Sequence, residues 1–68
     1  MKFELECERE EDGRWLAKVP QLPGVLACGS TADEAMSKAE VLALRVLADR
    51  LEHGDSRPHS ISFNVAAA

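Results

Sequence analysis

Apolar and charged residues alternate strictly near the start of the chain, over residues 2–9. A period of two residues is typical of a strand that buries one face. Residues 14–20 alternate in the same way, with Trp15, Ala17 and Val19 on the apolar side. The pattern therefore predicts two neighbouring strands, each with one apolar face and one charged face. The charged face of the first strand carries Lys2, Glu4, Glu6 and Glu8.

The loop between these strands decides how they pair, because a shift of one residue would turn the apolar face of one strand outward. A two-residue loop would set Cys7 opposite Lys18, whereas a three-residue loop over residues 11–13 sets Cys7 opposite Ala17. The longer loop matches apolar residues with apolar residues. We therefore expect a three-residue hairpin loop, with Gly13 in the left-handed conformation of a type I turn followed by a bulge.

The alternation stops at a segment that contains Pro20, Leu22, Pro23 and Gly24. Proline lacks the N–H that a sheet ladder needs, and glycine permits a positive φ, so this segment is predicted to turn. Residues 25–29 then read as a short third strand. Because its apolar residues are continuous, the sequence leaves open which of its faces points inward.

A long helix is predicted to begin after Thr31, which stands three residues before Glu34. In this capping-box spacing the Thr31 hydroxyl accepts from the Glu34 N–H, and the Glu34 carboxylate accepts from the Thr31 N–H. We expect the helix to run over residues 32–53 and to stop at Gly54. One apolar stripe of the helix is expected to face the sheet. Its members are Ala35, Met36, Ala39, Leu42, Ala43, Val46 and Leu47.

A second apolar stripe, which we call the outer stripe, lies on nearly the opposite side of the same helix. It consists of Val41, Leu44, Ala48 and Leu51. A single sheet cannot cover both stripes of one helix in so short a chain. Isolated exposed leucines are common and need no explanation, but several apolar residues in register favour a contact with another molecule. The outer stripe is therefore a candidate oligomer or partner surface.

A final strand is predicted over residues 59–65, followed by a frayed end at residues 66–68. The order of elements is then β-β-β-α-β in a single α+β domain over residues 1–68. A right-handed crossover through the helix would place the fourth strand beside the first and parallel to it. The sequence thus predicts a four-stranded sheet in the order 3-2-1-4, with one long helix on one face.

Composition narrows the classes of partner. The 68 residues carry a net charge of −4, which disfavours nucleic acids and anionic membranes as direct partners. The same charge fits a solubilising surface or an acidic face that binds a basic protein. Cys7 and Cys28 are expected to be reduced core residues, since they form no metal-binding or disulfide pattern. Without a leader-like or membrane-spanning segment in the sequence, the expected location is the cytoplasm.

Candidate catalytic chemistry is sparse. The glutamates of the first strand could suggest a two-metal nuclease, but such a site needs carboxylates that converge from several elements. The fourth strand offers only Ser60, Ser62 and Asn64 near them. His53 is expected to cap the helix, and His59 to lie on the surface. The sequence therefore predicts no catalytic, cofactor-binding or metal-binding residues and no enzymatic activity.

Two motifs resemble those of one known family. The first is the P-x-L-P-G segment of residues 20–24, and the second is the G-x-T-x-x-E-A helix start of residues 29–35. Together with the charged hairpin before them, they resemble the N-terminal domain of HicB-type antitoxins and their short relatives. The residues that carry this resemblance are Pro20, Leu22, Pro23, Gly24, Gly29, Thr31, Glu34 and Ala35.

The resemblance implies a partially degraded ribonuclease H-like fold and a non-catalytic role. It implies that the protein binds and neutralises a HicA-type toxin, a small basic ribonuclease that cleaves mRNA. The outer stripe and the small size of the domain lead us to expect, separately, a homodimer or higher homo-oligomer. Complete members also carry a C-terminal DNA-binding segment. This sequence ends after the predicted fourth strand, so operator binding is not expected of it. Two alternatives remain: an orphan regulatory or ligand-binding domain without a toxin, and a divergent metal-dependent nuclease.

Overall fold

A computed structural model describes residues 2–54 and 61–67 of the chain. Its elements follow the predicted order β-β-β-α-β, and the α+β class is confirmed. The bounds are β1 Lys2–Arg9, β2 Trp15–Lys18, β3 Leu26–Gly29, α1 Ala32–Glu52 and β4 Ser62–Ala67.

The four strands form one sheet in the order β3-β2-β1-β4, as predicted. β1 pairs antiparallel with β2, and β2 pairs antiparallel with β3. β4 pairs with β1 in parallel, beginning with Lys2 opposite Ser62. A parallel pair cannot be joined by a tight turn, so α1 serves as part of the crossover and packs on one face of the sheet. No described element of the chain covers the other face, which we call the open face of the sheet.

The hairpin between β1 and β2 has the predicted register, with Cys7 opposite Ala17. The Glu10 N–H donates to the Arg14 carbonyl oxygen at 2.7 Å and closes the three-residue loop. Gly13 has a φ of 89°, which is the positive value that the predicted turn requires. Face matching between two alternating strands was therefore sufficient to fix this register.

β2 is shorter than the predicted strand over residues 14–20. It ends at Lys18 because the backbone turns at Val19. The Val19 carbonyl oxygen accepts from the Leu22 N–H at 3.0 Å, so this group belongs to a turn instead of a sheet ladder. Val19 nevertheless stays buried on the same face as Ala17, which preserves the predicted apolar pattern.

β4 also differs from its predicted bounds. Ala66 and Ala67 continue the strand opposite Glu6 and Cys7, so the expectation that they are frayed was wrong. Alanines carry no alternation that a sequence pattern could use, whereas β1 is long enough to pair with them. The predicted strand residues His59 and Ser60 lie outside the described residues, as does Ala68.

The core lies between α1 and the covered face of the sheet. Small residues at the centre of the helix face, Ala35, Ala39 and Ala43, are fully buried and let the helix approach the strands closely. Phe63 of β4 stacks on Phe3 of β1, with ring centroids 5.6 Å apart. The buried side chains are Phe3, Leu5, Cys7, Ala17, Val19, Leu22, Val25, Ala35, Ala39, Ala43 and Leu47.

β3 shows the inward face that the sequence left open. Ala27 packs against the core and Gly29 is buried, whereas Leu26 and Cys28 point away from the helix. Cys28 is thus an exposed free thiol, and the expectation that it belongs to the core was wrong. The expectation for Cys7, which is buried and free, is confirmed.

Candidate interaction surface

The P-x-L-P-G segment forms two consecutive turns that share Leu22. The Leu22 N–H donates to the Val19 carbonyl oxygen at 3.0 Å, and the Val25 N–H donates to the Leu22 carbonyl oxygen at 3.1 Å. Each turn has a proline at its second position, where the fixed φ of proline is favourable. Pro20 and Pro23 therefore set the backbone, while the Leu22 side chain is buried in the core.

Gly24 occupies the third position of the second turn with a φ of 91°. A turn with proline second and a positive φ third has the arrangement of type II, which strongly favours glycine there. No described residue lies within 4 Å of a Cβ added at Gly24, so the requirement concerns the backbone angle and not space. In the same segment the Gln21 side chain accepts from the Glu4 N–H at 3.2 Å and ties the turns to β1.

Gly29 has a different reason to be glycine. A Cβ added to it would lie 2.7 Å from the Ala35 backbone nitrogen and 3.0 Å from Glu34 Cβ. The end of β3 and the first turn of α1 are thus in direct backbone contact. Ala35 itself is fully buried, which limits it to a small side chain. The Gly29 and Ala35 positions of the second motif therefore need small residues because β3 and α1 approach each other closely there.

The first turn of α1 forms one half of the predicted capping box. The Glu34 N–H donates to Thr31 Oγ1 at 3.1 Å, as predicted. The other half was wrong: the Glu34 carboxylate accepts from the Ser30 hydroxyl at 3.0 Å and pairs with Lys38 Nζ at 3.1 Å. The hydrogen bonds from Lys38 and Ser30 lower the pKa of the Glu34 carboxyl below its usual value. The eight motif residues thus lie in the turn segment, at the end of β3 or at the helix start.

The outer stripe lies on the exposed side of α1. Val41 is 46% exposed, Leu44 47% and Leu51 40%, and Ala48 between them is also exposed. These side chains point away from the sheet, whose contacts with the helix are made by Ala35, Ala39, Ala43 and Leu47. No other described element of the chain covers the outer stripe. Its contact with a partner remains a prediction.

A groove runs along each side of the helix, and the two grooves differ in charge. The groove towards β3 has a volume of about 420 Å³, and Lys38 and Arg45 stand at its rim beside Ala27 and Val41. The groove towards β4 has a volume of about 350 Å³, and Asp33 and Glu40 stand at its rim. The apolar residues Leu5, Met36, Phe63 and Val65 also line the second groove. Between residues 33 and 45 the outer stripe is thus bordered by Lys38 and Arg45 on one side and by Asp33 and Glu40 on the other, and Asp49 follows Arg45 on the first side.

The open face of the sheet carries a row of glutamates along β1. Glu4 and Glu8 are exposed and Glu6 is half-buried. Alternate residues of a strand are about 7 Å apart, so the three carboxylates form a line. Lys18 of β2 lies opposite Glu6, whereas the β4 residue opposite Glu4 is the uncharged Asn64. This acidic row is the second surface that could meet a partner.

The described residues offer little catalytic chemistry. Within residues 2–54 and 61–67, no three His, Cys, Asp or Glu side chains come together as metal ligands could. Nor is any polar or charged side chain of these ranges buried. His53 caps the helix, with Nδ1 2.8 Å from the Asp49 carbonyl oxygen, as expected. The prediction for His59 lies outside the described residues.

Two features of these surfaces were missed by the sequence reasoning. Leu26 is 52% exposed and Val65 is 64% exposed, although both lie in strands expected to contribute to the core. Leu26 carries no signal because the continuous apolar run of β3 does not show which face is inward, and the exposure of Val65 depends on how far the single helix reaches across the sheet. The segregation of charge beside the outer stripe did have a signal: Asp33 and Lys38, and likewise Glu40 and Arg45, are separated by five residues.

Comparison with known proteins gives a relative among curated sequences. Over 40 residues the chain is 40% identical to a UPF0150 protein of Archaeoglobus fulgidus. The match covers 59% of this chain and 58% of that protein, so it spans less than two thirds of the relative's length. No family model matches the chain, and no solved structure matches it. No helix of the described residues has the length and apolar character needed to cross a membrane.

Proposed function

We propose that this protein is a non-catalytic antitoxin-like module that binds and neutralises a HicA-type mRNA-cleaving ribonuclease. The observation that carries the proposal is the row formed by Glu4, Glu6 and Glu8 on the open face of the sheet. This surface would meet a small basic protein with opposite charge, which speeds association and orients the two partners. The resemblance of residues 20–24 and 29–35 to HicB-type motifs supplies the identity of that partner.

The roles of the motif residues support a binding function over a reaction. Leu22 fills the core, Gly24 and Gly29 meet backbone constraints, and Thr31 caps the helix. The motifs therefore specify a scaffold that holds β1 and its glutamates in place. The net charge of −4 agrees with a basic partner.

Growth rescue tests the proposal. The product of the neighbouring reading frame would be induced alone and together with this chain, and growth and co-purification would be measured. We expect the chain to restore growth and to co-purify with the toxic protein. If the neighbouring product is toxic and the chain neither rescues growth nor binds it, the antitoxin function is wrong.

Charge reversal tests the surface. Glu4→Lys together with Glu8→Lys should weaken binding and make the remaining binding less sensitive to salt, because both changes remove attraction to a basic partner. The matched control is Glu10→Lys together with Glu11→Lys, which makes the same change of charge at two exposed residues at the hairpin end of the sheet. Equal binding by the variant at Glu4 and Glu8 and by the control would show that the toxin contacts another surface. Mg²⁺-dependent RNA cleavage by the purified chain would instead support the nuclease alternative.

A further inference from the structure

We propose that the outer stripe of α1 is covered by the same stripe of a second copy, with the two helices parallel. This inference goes beyond toxin binding, because it assigns a partner to a different surface, the outer stripe of α1. It does not depend on the toxin, because its test uses the purified chain alone.

The spacing of the outer stripe is that of a two-helix seam. Val41, Leu44, Ala48 and Leu51 are separated by three, four and three residues, which is the a-d-a-d pattern of two heptads. A helix face that packs on a sheet is wider. The sheet-facing stripe of α1, which runs from Ala35 to Leu47, has seven residues. Val41 occupies an a position, and Leu44 and Leu51 occupy d positions. Within parallel coiled coils, a β-branched residue at a with leucine at d favours two strands over three or four.

The charges beside the seam select the parallel arrangement. Asp33 and Glu40 stand at g positions on the side towards β4, and Lys38 and Arg45 stand at e positions on the side towards β3. In a parallel pair, each g residue faces the e residue five positions later in the other helix. Glu40 would therefore meet Arg45 of the second copy. The twofold axis makes this attractive pair twice.

An antiparallel pair would be less favourable. With Leu44 opposite Ala48, the two copies of Arg45 would be offset by only about 3 Å along the helix axis. They would lie on the same side of the seam, since e positions face e positions in antiparallel pairs. The two guanidinium groups would therefore lie beside each other and repel. The arrangement of charge thus distinguishes the two orientations.

The described residues leave room for this contact. The sheet lies on the opposite side of α1, so the two sheets of a parallel dimer face outward. From Val41 to Leu51 the seam is about 15 Å long. It ends before Glu34, whose carboxylate is already engaged by Ser30 and Lys38. A domain of 68 residues buries a small core and gains stability from such an association.

Sedimentation equilibrium over a range of protein concentrations tests the contact. The unmodified chain should show a concentration-dependent dimer, and Leu44→Glu should sediment as a monomer with unchanged far-UV circular dichroism at each concentration. Leu26→Glu is the matched control, since it makes the same change at an exposed leucine on β3 and should leave the dimer intact. A monomeric unmodified chain, or a Leu44→Glu variant with unchanged mass, would overturn the proposal.

Charge exchange tests the orientation. Glu40→Lys and Arg45→Glu should each weaken the dimer at least tenfold, and the double variant should recover most of the loss. Residues five apart on one helix do not face each other, so recovery would arise between copies and not within one helix. In the Cys28→Ser background, the Leu51→Cys variant should form a disulfide between its two copies, because a parallel pair places residue 51 of one copy beside residue 51 of the other. Cross-linking only in a mixture of Val41→Cys and Leu51→Cys chains would show an antiparallel pair and overturn the assignment.

Discussion

Gly29 lies against the backbone of Ala35, so closely that a methyl group on Gly29 would come within 2.7 Å of the Ala35 nitrogen. This contact joins the end of β3 to the start of α1. Gly29 therefore differs from Gly24, although both are motif glycines. Gly24 is needed for its positive φ, whereas Gly29 is needed because it has no side chain.

The two glycines should respond differently to substitution. Gly29→Ala and Gly29→Asn should both lower the free energy of unfolding, by about 1–3 kcal/mol, because the contacted atoms include a backbone nitrogen that cannot move freely. Gly24→Ala should cost about 1–2 kcal/mol, whereas Gly24→Asn should cost less, since asparagine tolerates a positive φ. Urea unfolding measures all four values. A harmless Gly29→Asn would contradict the close approach.

Leu22 should be a large contributor to stability for its size. It is almost completely buried and anchors both turns of the 20–24 segment. Leu22→Ala is expected to cost about 2–5 kcal/mol through lost burial and a cavity. Leu26→Ala, at an exposed leucine, should cost well under half as much. If the two variants unfold at the same urea concentration, the turn segment does not depend on this anchor.

The helix cap should show two kinds of pH dependence. Thr31→Ala is expected to cost about 1 kcal/mol at any pH, because neither the Thr31 hydroxyl nor the Glu34 backbone N–H of the lost hydrogen bond titrates. The pKa of Glu34 is lower in the folded state, so its stabilising effect is complete above the usual glutamate pKa of about 4.3. That effect is lost as the pH falls through the lowered folded pKa.

The measurement compares each variant with the unmodified chain by urea unfolding at pH 7 and at pH 3. Glu34→Gln should be less stable than the unmodified chain at pH 7, and the difference should shrink at pH 3. The Thr31→Ala difference should stay nearly constant and serves as the control. A constant difference for Glu34→Gln would mean that the contacts with Ser30 and Lys38 do not stabilise the folded carboxylate.

The two thiols should differ in reactivity. Burial raises the pKa of the Cys7 thiol, and the nearby charges of Asp33 and Glu8 raise it further, so little reactive thiolate forms. Cys28 is exposed. Iodoacetamide at pH 8 should therefore label Cys28 quickly and Cys7 only after unfolding, as mass spectrometry of peptides would report. Fast labelling of the Cys28→Ser variant would show that the core opens at Cys7.

Local patterns predicted those parts of the fold in which two neighbouring segments constrain each other. The Cys7–Ala17 pairing followed from the alternation in both strands, and the helix start followed from Thr31 and Glu34. The outer stripe followed from helical projection alone. By contrast, the inward face of β3 could not be predicted because Val25 to Cys28 are all apolar, and Cys28 proved to be exposed.

Features that depend on distant elements were beyond the sequence reasoning. Ala66 and Ala67 extend β4 because β1 offers them backbone partners, and no side-chain pattern announces this. The Glu34 contacts are different, because Ser30 and Lys38 lie four residues before and after Glu34, a spacing that is visible in the sequence and that the capping-box prediction did not use. The sides of the helix on which Lys38, Arg45, Asp33 and Glu40 lie relative to β3 and β4 also depend on how the helix packs on the sheet.

The parallel pairing of β1 with β4 sets an order of events during synthesis on the ribosome. β1, β2, β3 and the helix are all made before β4, so the hairpin and helix can assemble while one edge of β1 still lacks its neighbour. Until then the edge of the central strand stays open to pairing with other chains, and Phe3 lacks the ring of Phe63. The nascent chain therefore passes through a stage at which its first strand is the part most in need of protection.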